Sequence, residues 1–318
     1  MELLKHLTEC NSPSGREDSV RAVIAAQAQK YCDEIYTDTL GNLIARKGSG
    51  GKKIVLCAHM DEIGVVVTYR DDKGFLRFAP VGGLDKKNLV NRRVIFPDGV
   101  QGVIGIEHDA EKNEISKMYI DTGCAGNVQP GDMACFTGEF CESGSIVISK
   151  ALDNRAGCYV LLEAMKRLEN LSCEAYFVFT VQEEVGLRGA KTACFGIDAD
   201  YAVAVDVTDT GDTPDCAPMS VSMGSGAAVK VMDRSVICHS EVRNRLISLA
   251  AENNIPYQLE IMTEGGTDAG AIHTTGTGVK TGGISIPTRY IHSNSEMADK
   301  NDIKAAADLL EKFIVSFS

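Results

Sequence analysis

Apolar residues recur three and four positions apart over residues 16–31, where Val20, Val23, Ile24 and Ala28 fall on one face. That spacing predicts an amphipathic helix. Residues 1–10 predict a shorter one, stopped by Asn11-Ser12-Pro13-Ser14-Gly15, a run rich in turn formers. The period then drops to two. Residues 34–46 alternate about Leu40-Gly41-Asn42, the signature of a hairpin. Residues 54–58, Ile-Val-Leu-Cys-Ala, are continuously apolar, as in strands covered on both faces.

Between about 68 and 149 the pattern changes. Short β-like pieces at 75–78, 93–96, 103–106 and 146–148 are separated by Gly, Asp and Pro, and no long helical period intervenes. The helical period returns after Asp153, with Val160, Leu161, Ala164, Met165 and Leu168 in one stripe. Apolar runs at 175–181, 201–205, 257–261 and 283–286 then alternate with helical segments near 241–252 and 301–316. Strands alternating with helices imply a mostly parallel central sheet flanked by helices. The predicted fold is therefore α/β, with one domain formed by 1–67 and 149–318 and a small β-rich, barrel-like domain inserted at 68–148.

Charge and cysteine content narrow the setting. A formal net charge of −12 over 318 residues argues against nucleic acid or an anionic membrane as partner, since both need clustered Lys and Arg. Eleven cysteines without a C-x-x-C pair, in a chain long enough to build its own core, read as free thiols in a reducing compartment. The N-terminus lacks the apolar run of a signal peptide, and no stretch approaches the roughly 18 apolar residues of a membrane span. The expectation is a cytoplasmic protein.

The chemistry-bearing residues sit at strand ends. The run 54–58 leads into His59-Met60-Asp61, the run 175–181 into Gln182-Glu183-Glu184, and the run 201–205 into Asp206. The last strand leads to Tyr290-Ile291-His292, and Asp153 opens a helix. Open α/β sheets bind ligands at the carboxyl ends of their strands. His, Asp and Glu together are the ligands of a hydrolytic divalent metal, and their number suggests two ions sharing a carboxylate about 3.5–4 Å apart. The Glu183-Glu184 pair offers one ligand and one proton carrier. Taken singly, each residue has an ordinary explanation: Asp153 as a helix cap, the histidines as hydrogen-bonded core groups, Glu183-Glu184 as a solvated pair. Their convergence at one sheet edge is what points to a site. His6, His108, His239 and His273 lack such a context, and Cys57 reads as a core thiol. The chain has no H-E-x-x-H, no G-x-S-x-G and no Walker A loop, so a helix-borne zinc site, a serine elbow and a nucleotide loop are set aside.

Five blocks go further: Ala58-His59-Met60-Asp61-Glu62-Ile63-Gly64, Ala151-Leu152-Asp153-Asn154-Arg155-Ala156-Gly157, the stretch from Gln182 to Ala190, Asp206-Val207-Thr208, and Arg289-Tyr290-Ile291-His292-Ser293. In this order they resemble the signature of the TET-type aminopeptidases, metallopeptidase family forty-two, which includes glutamyl and deblocking aminopeptidases. The resemblance implies that His59, Asp153 and Asp206 hold one metal and that Asp153, Glu184 and His292 hold the other, so Asp153 bridges. It implies Glu183 as general base and Asp61 as its catalytic companion, orienting the His59 imidazole. It further implies that 68–148 serves oligomer contacts, in assemblies that are commonly dodecamers. Asn294 stands where the family pattern has proline. Asp268, in Gly265-Gly266-Thr267-Asp268, becomes a candidate contact for a peptide amino group.

The reading is a dinuclear metal-dependent aminopeptidase acting on short peptides, with zinc or cobalt as the expected ions and manganese compatible. A related amidohydrolase or deacylase would share the ligand set and differ only in substrate. A glycosidase needs paired carboxylates without metals, and a non-catalytic homologue would lack one of the six expected groups. The side chain accepted at the peptide N-terminus is not legible from spacing.

Overall fold

The structure, a computed structural model, describes residues 1–123 and 125–318. Four parallel strands, Glu174–Thr180, Lys53–His59, Tyr201–Thr208 and Lys280–Arg289, lie side by side at the centre of an eleven-stranded sheet. Leu43–Lys47 and Glu34–Thr37 extend it antiparallel on one side. Glu296–Asp299, Ile146–Ser149 and Cys141–Ser143 extend it antiparallel on the other. Ala227–Met232 and Tyr257–Ile261 branch from the Lys280–Arg289 strand.

The Lys53–His59 strand shows why the centre is parallel. Ile54, Leu56 and Ala58 enter one hydrophobic cluster, while Val55 and Cys57 enter another on the opposite face. With a period of two, both faces of such a strand must be covered by helices. Leu152–Arg167 and Lys300–Val315 pack on the first face, Arg188–Ile197 and Asp268–Ile272 on the second. Glycine at 189, a poor helix former, disguises the helix Arg188–Ile197 in the sequence. Gly189 instead permits close packing: a Cβ there would lie 2.4 Å from the Val181 carbonyl oxygen.

Six strands, Gly64–Arg70, Leu76–Val81, Met118–Asp121, Gln101–Ile106, Arg93–Ile95 and Met133–Phe136, close into a barrel with its own apolar core, including Val65, Phe78, Ile104 and Phe136. The strand Ile146–Ser149, read from the sequence together with this β-rich segment, pairs instead with Glu296–Asp299 in the main sheet. A barrel loop reaches back to the sheet edge. A Cβ on Gly82 would lie 3.1 Å from Glu184 Oε2, and one on Gly83 would lie 3.0 Å from His292 Nδ1, so a side chain at either position would crowd the cup.

Beneath the His59-Met60-Asp61 turn lies a buried charge network. Arg155, fully buried, donates to the carbonyls of Met60, Leu7 and Cys10. Glu62 meets Lys150 at 2.6 Å and Arg155 at 3.3 Å, and accepts the Ser12 N–H at 2.9 Å. Burying charges is costly unless they are paired and hydrogen-bonded, and here the network ties the first helix and the loop after it to the turn that carries His59. The ten described cysteines are free, six of them buried; Cys124 lies outside the described residues. No helix among the described residues is long and apolar enough to cross a membrane.

Candidate metal centre

His59 closes its strand, and its ring is oriented from behind. Nδ1 lies 3.1 Å from the Asp61 main-chain carbonyl oxygen and 3.5 Å from Asp61 Oδ1. With Nδ1–H donating there, Nε2 keeps its lone pair for a cation. Nε2 stands 3.0 Å from Asp153 Oδ1, 3.7 Å from Asp206 Oδ1 and 3.9 Å from Glu183 Oε2. Across the cup, His292 Nε2 lies 3.3 Å from Asp153 Oδ2 and 3.2 Å from Glu184 Oε2. The two oxygens of Asp153 thus face two different imidazoles. One nitrogen or oxygen each from His59, Asp153 and Glu184 falls within 4.8 Å of the others, a spacing suited to a metal ion.

Asp153 does not act as a helix cap. It has φ −76° and ψ 106°, and Asn154 has φ −121° and ψ 40°, so regular helix begins after both. Around the cup, Ala151, Gln182, Leu187, Tyr290 and His292 all have φ between 55° and 62°. A left-handed backbone at non-glycine residues costs energy and gathers where the fold must aim particular side chains.

The Asp61 carboxylate does a second job. Oδ1 accepts the Glu183 N–H at 3.0 Å, and Oδ2 accepts the Glu184 N–H at 3.2 Å and the Ser14 hydroxyl at 2.6 Å. One buried side chain therefore fixes the turn that presents both glutamates. Glu17 helps by accepting the Gln182 N–H at 3.1 Å.

The electrostatics call for positive charge. Burial, aided by neighbouring carboxylates, pushes Glu183, Glu184 and Asp206 above their ordinary range. Burial works against protonated imidazoles, yet Glu183, Asp153 and Asp61 carry His59 well up, and Asp153 with Glu184 carries His292 up to about 12. Carboxylates that resist ionising, beside imidazoles that hold protons, form a donor set short of cations. Divalent ions would answer both tendencies, and the oxygen and imidazole donors fit zinc, cobalt or manganese.

The structure brings His59, Asp61, Asp153, Glu183, Glu184, Asp206 and His292 together and leaves Asp268 under the floor. Asp268 is 2 % exposed, its Oδ2 accepts the Thr180 hydroxyl at 2.5 Å, and its Oδ1 has no partner. It is absent from the lining of the cavity above the cup, a space of about 510 Å³.

Sequence reasoning missed Glu296. Buried, it accepts the Asp153 N–H through Oε2 and the His292 N–H through Oε1, each at 2.9 Å. Its strand, Glu296–Asp299, is half acidic and carries no apolar signal. Glutamine at 296 would turn an NH₂ donor toward one of those N–H groups. Glu296→Gln is therefore expected to lower stability by about 1–3 kcal/mol and metal affinity about 10–100-fold. Denaturant unfolding and metal titration of the purified variant check both.

The profile of the M42 glutamyl aminopeptidase family matches residues 41–309. A provisionally named aminopeptidase of Acetivibrio thermocellus is 54% identical, over 98% of each chain. A lysyl aminopeptidase of Pyrococcus furiosus is 32% identical over 98% of this chain and 96% of its own. Among solved structures, the TET1 peptidase of Pyrococcus horikoshii, described as assembling into a tetrahedron or a large octahedral shell, superposes with a TM-score of 0.89 at 34% identity, over 98% of each chain.

Proposed function

The chain belongs to the M42 family and is an aminopeptidase, and on that premise we propose that it releases N-terminal residues from short peptides with two divalent cations and a glutamate base. His59, Asp206 and Asp153 would hold one ion, and His292, Glu184 and Asp153 the other. The observation that supports this is Asp153, whose oxygens face His59 on one side and His292 on the other. When bound, such a pair polarises the scissile carbonyl and lowers the pKa of water.

The remaining work belongs to the protein's own groups. Desolvation raises the proton affinity of Glu183, so its carboxylate accepts a proton from the attacking water and returns it to the departing amine. Asp61 keeps Glu183 and Glu184 in register by holding both main-chain N–H groups. The Gly82–Gly83 loop, pressed against Glu184 and His292, limits water at that side of the cup. The barrel, in this reading, supplies contacts between copies, a role supported by the shell-forming TET1 relative. The free thiols favour a cytoplasmic setting.

Aminoacyl chromogenic amides test the proposal. Wild type should release chromophore from free-amine substrates, lose activity on chelation and regain it with zinc or cobalt. Cleavage confined to N-acylated amides would instead establish the deacylase alternative.

A further inference from the structure

Membership of the family does not choose the side chain that is accepted, and a second cavity lies next to the cup. It measures about 330 Å³ and joins the catalytic cavity, with Asp209, Met262 and Glu264 lining both. Its lining sets Pro218, Met219 and Ile261 beside Thr210, Thr213 and Thr263. An exopeptidase must house one residue on the amine side of the scissile bond, and this side chamber has room for a single long side chain.

Charge decides which one. Of the lysines and arginines, only Arg289 lines either cavity. Its Nε and Nη2 already donate to Asp212 at 2.9 and 2.7 Å, so its charge is answered. Glu264 faces Arg234 at 3.3 Å near open solvent. Asp209, at the junction, is exposed and close enough to His292 to feel its charge, and it has no side-chain hydrogen bond or ion pair among the described residues while lining both spaces. A carboxylate without an ion-pair partner, at the mouth of a chamber that offers an apolar strip, suits a cation on a methylene stem. It repels a carboxylate, which would find no free arginine inside.

We propose that Asp209 selects peptides whose N-terminal residue is lysine or arginine, the stem lying along Pro218, Met219 and Met262. This rests on the aminopeptidase reading and names its substrate class. Asp209 is a specificity determinant and takes no part in the chemistry.

The test compares kcat/KM for lysyl, arginyl, leucyl and glutamyl chromogenic amides in the metal-loaded wild type, Asp209→Asn and Asp209→Glu. Wild type should favour lysyl and arginyl over leucyl, with glutamyl last. In Asp209→Asn the lysyl-to-leucyl ratio should fall about 10–100-fold, mainly through KM, and Asp209→Glu should restore most of it. The wild-type preference should also shrink as salt rises. A wild type that prefers leucyl or glutamyl amides overturns the inference and leaves the aminopeptidase standing. So does an Asp209→Asn variant that slows all four substrates equally, because Asp209 would then serve the reaction. If no free-amine substrate is cleaved, the aminopeptidase reading fails and the inference falls with it.

Discussion

Glu183→Gln is expected to lower kcat about 10²–10⁴-fold while the protein still binds its full complement of metal. The amide has nearly the shape of the carboxylate, and Glu183 Oε2 lies 3.9 Å from His59 Nε2, farther than the Asp153 oxygen at 3.0 Å. Loss of the proton carrier should therefore appear in turnover and spare metal content. A second measurement separates this from misfolding. Glu183 is held above its unfolded pKa by burial, with Asp206, Asp268 and Glu184 adding to the effect. In the metal-free protein the native state thus binds that proton more tightly than the unfolded chain does. Stability contributed by this group falls as pH rises above the ordinary carboxylate range. An uncharged glutamine removes that penalty, so the chelated variant should melt no lower than chelated wild type at pH 8. A variant that turns over normally would remove Glu183 from the proton path. One that loses metal would make it a ligand.

Much of this site was legible because of how a parallel strand must be built. A strand covered on both faces has no polar alternation, so 54–58 and 201–205 stand out as unbroken apolar runs, and the polar residue ending each run is conspicuous. His59 and Asp206 follow directly. Residues whose work is to hold the backbone give no such signal. Glu296 acts through two main-chain N–H groups on distant segments, a relation that has no fixed spacing in sequence. Asp209 lies three residues past Asp206 in a loop, and its significance appears only when the neighbouring arginine proves to be occupied by Asp212. The reach of Gly82 and Gly83 over the cup depends on how the barrel docks, which local pattern does not encode. Lys230 hides the Ala227–Met232 strand in a similar way: a lysine in a run reads as exposed, yet here Glu260 and Asp233 answer it in the interior.

The largest structural consequence should come from Asp153→Ala. If this carboxylate is shared, its removal weakens both metal positions at once, whereas His292→Ala and Asp206→Ala each weaken one. Dialysis at limiting free zinc followed by metal analysis distinguishes the cases. Asp153→Ala should retain neither equivalent, and each of the other two variants should retain one. Activity should fall on the order of 10³-fold or more, because metal stabilisation of the transition state is worth several kcal/mol. Metal that binds only the folded protein stabilises it by mass action, so added zinc should raise the wild-type melting temperature strongly and that of Asp153→Ala hardly at all. Alanine also releases the Asp153 oxygens from His59 and His292 and so lessens the pull that holds protons on both rings. Their imidazole resonances, followed by NMR in the metal-free variant, should titrate at lower pH than in metal-free wild type. One zinc equivalent retained at wild-type affinity would show that Asp153 serves a single ion, and the two-metal arrangement would then need a different bridge.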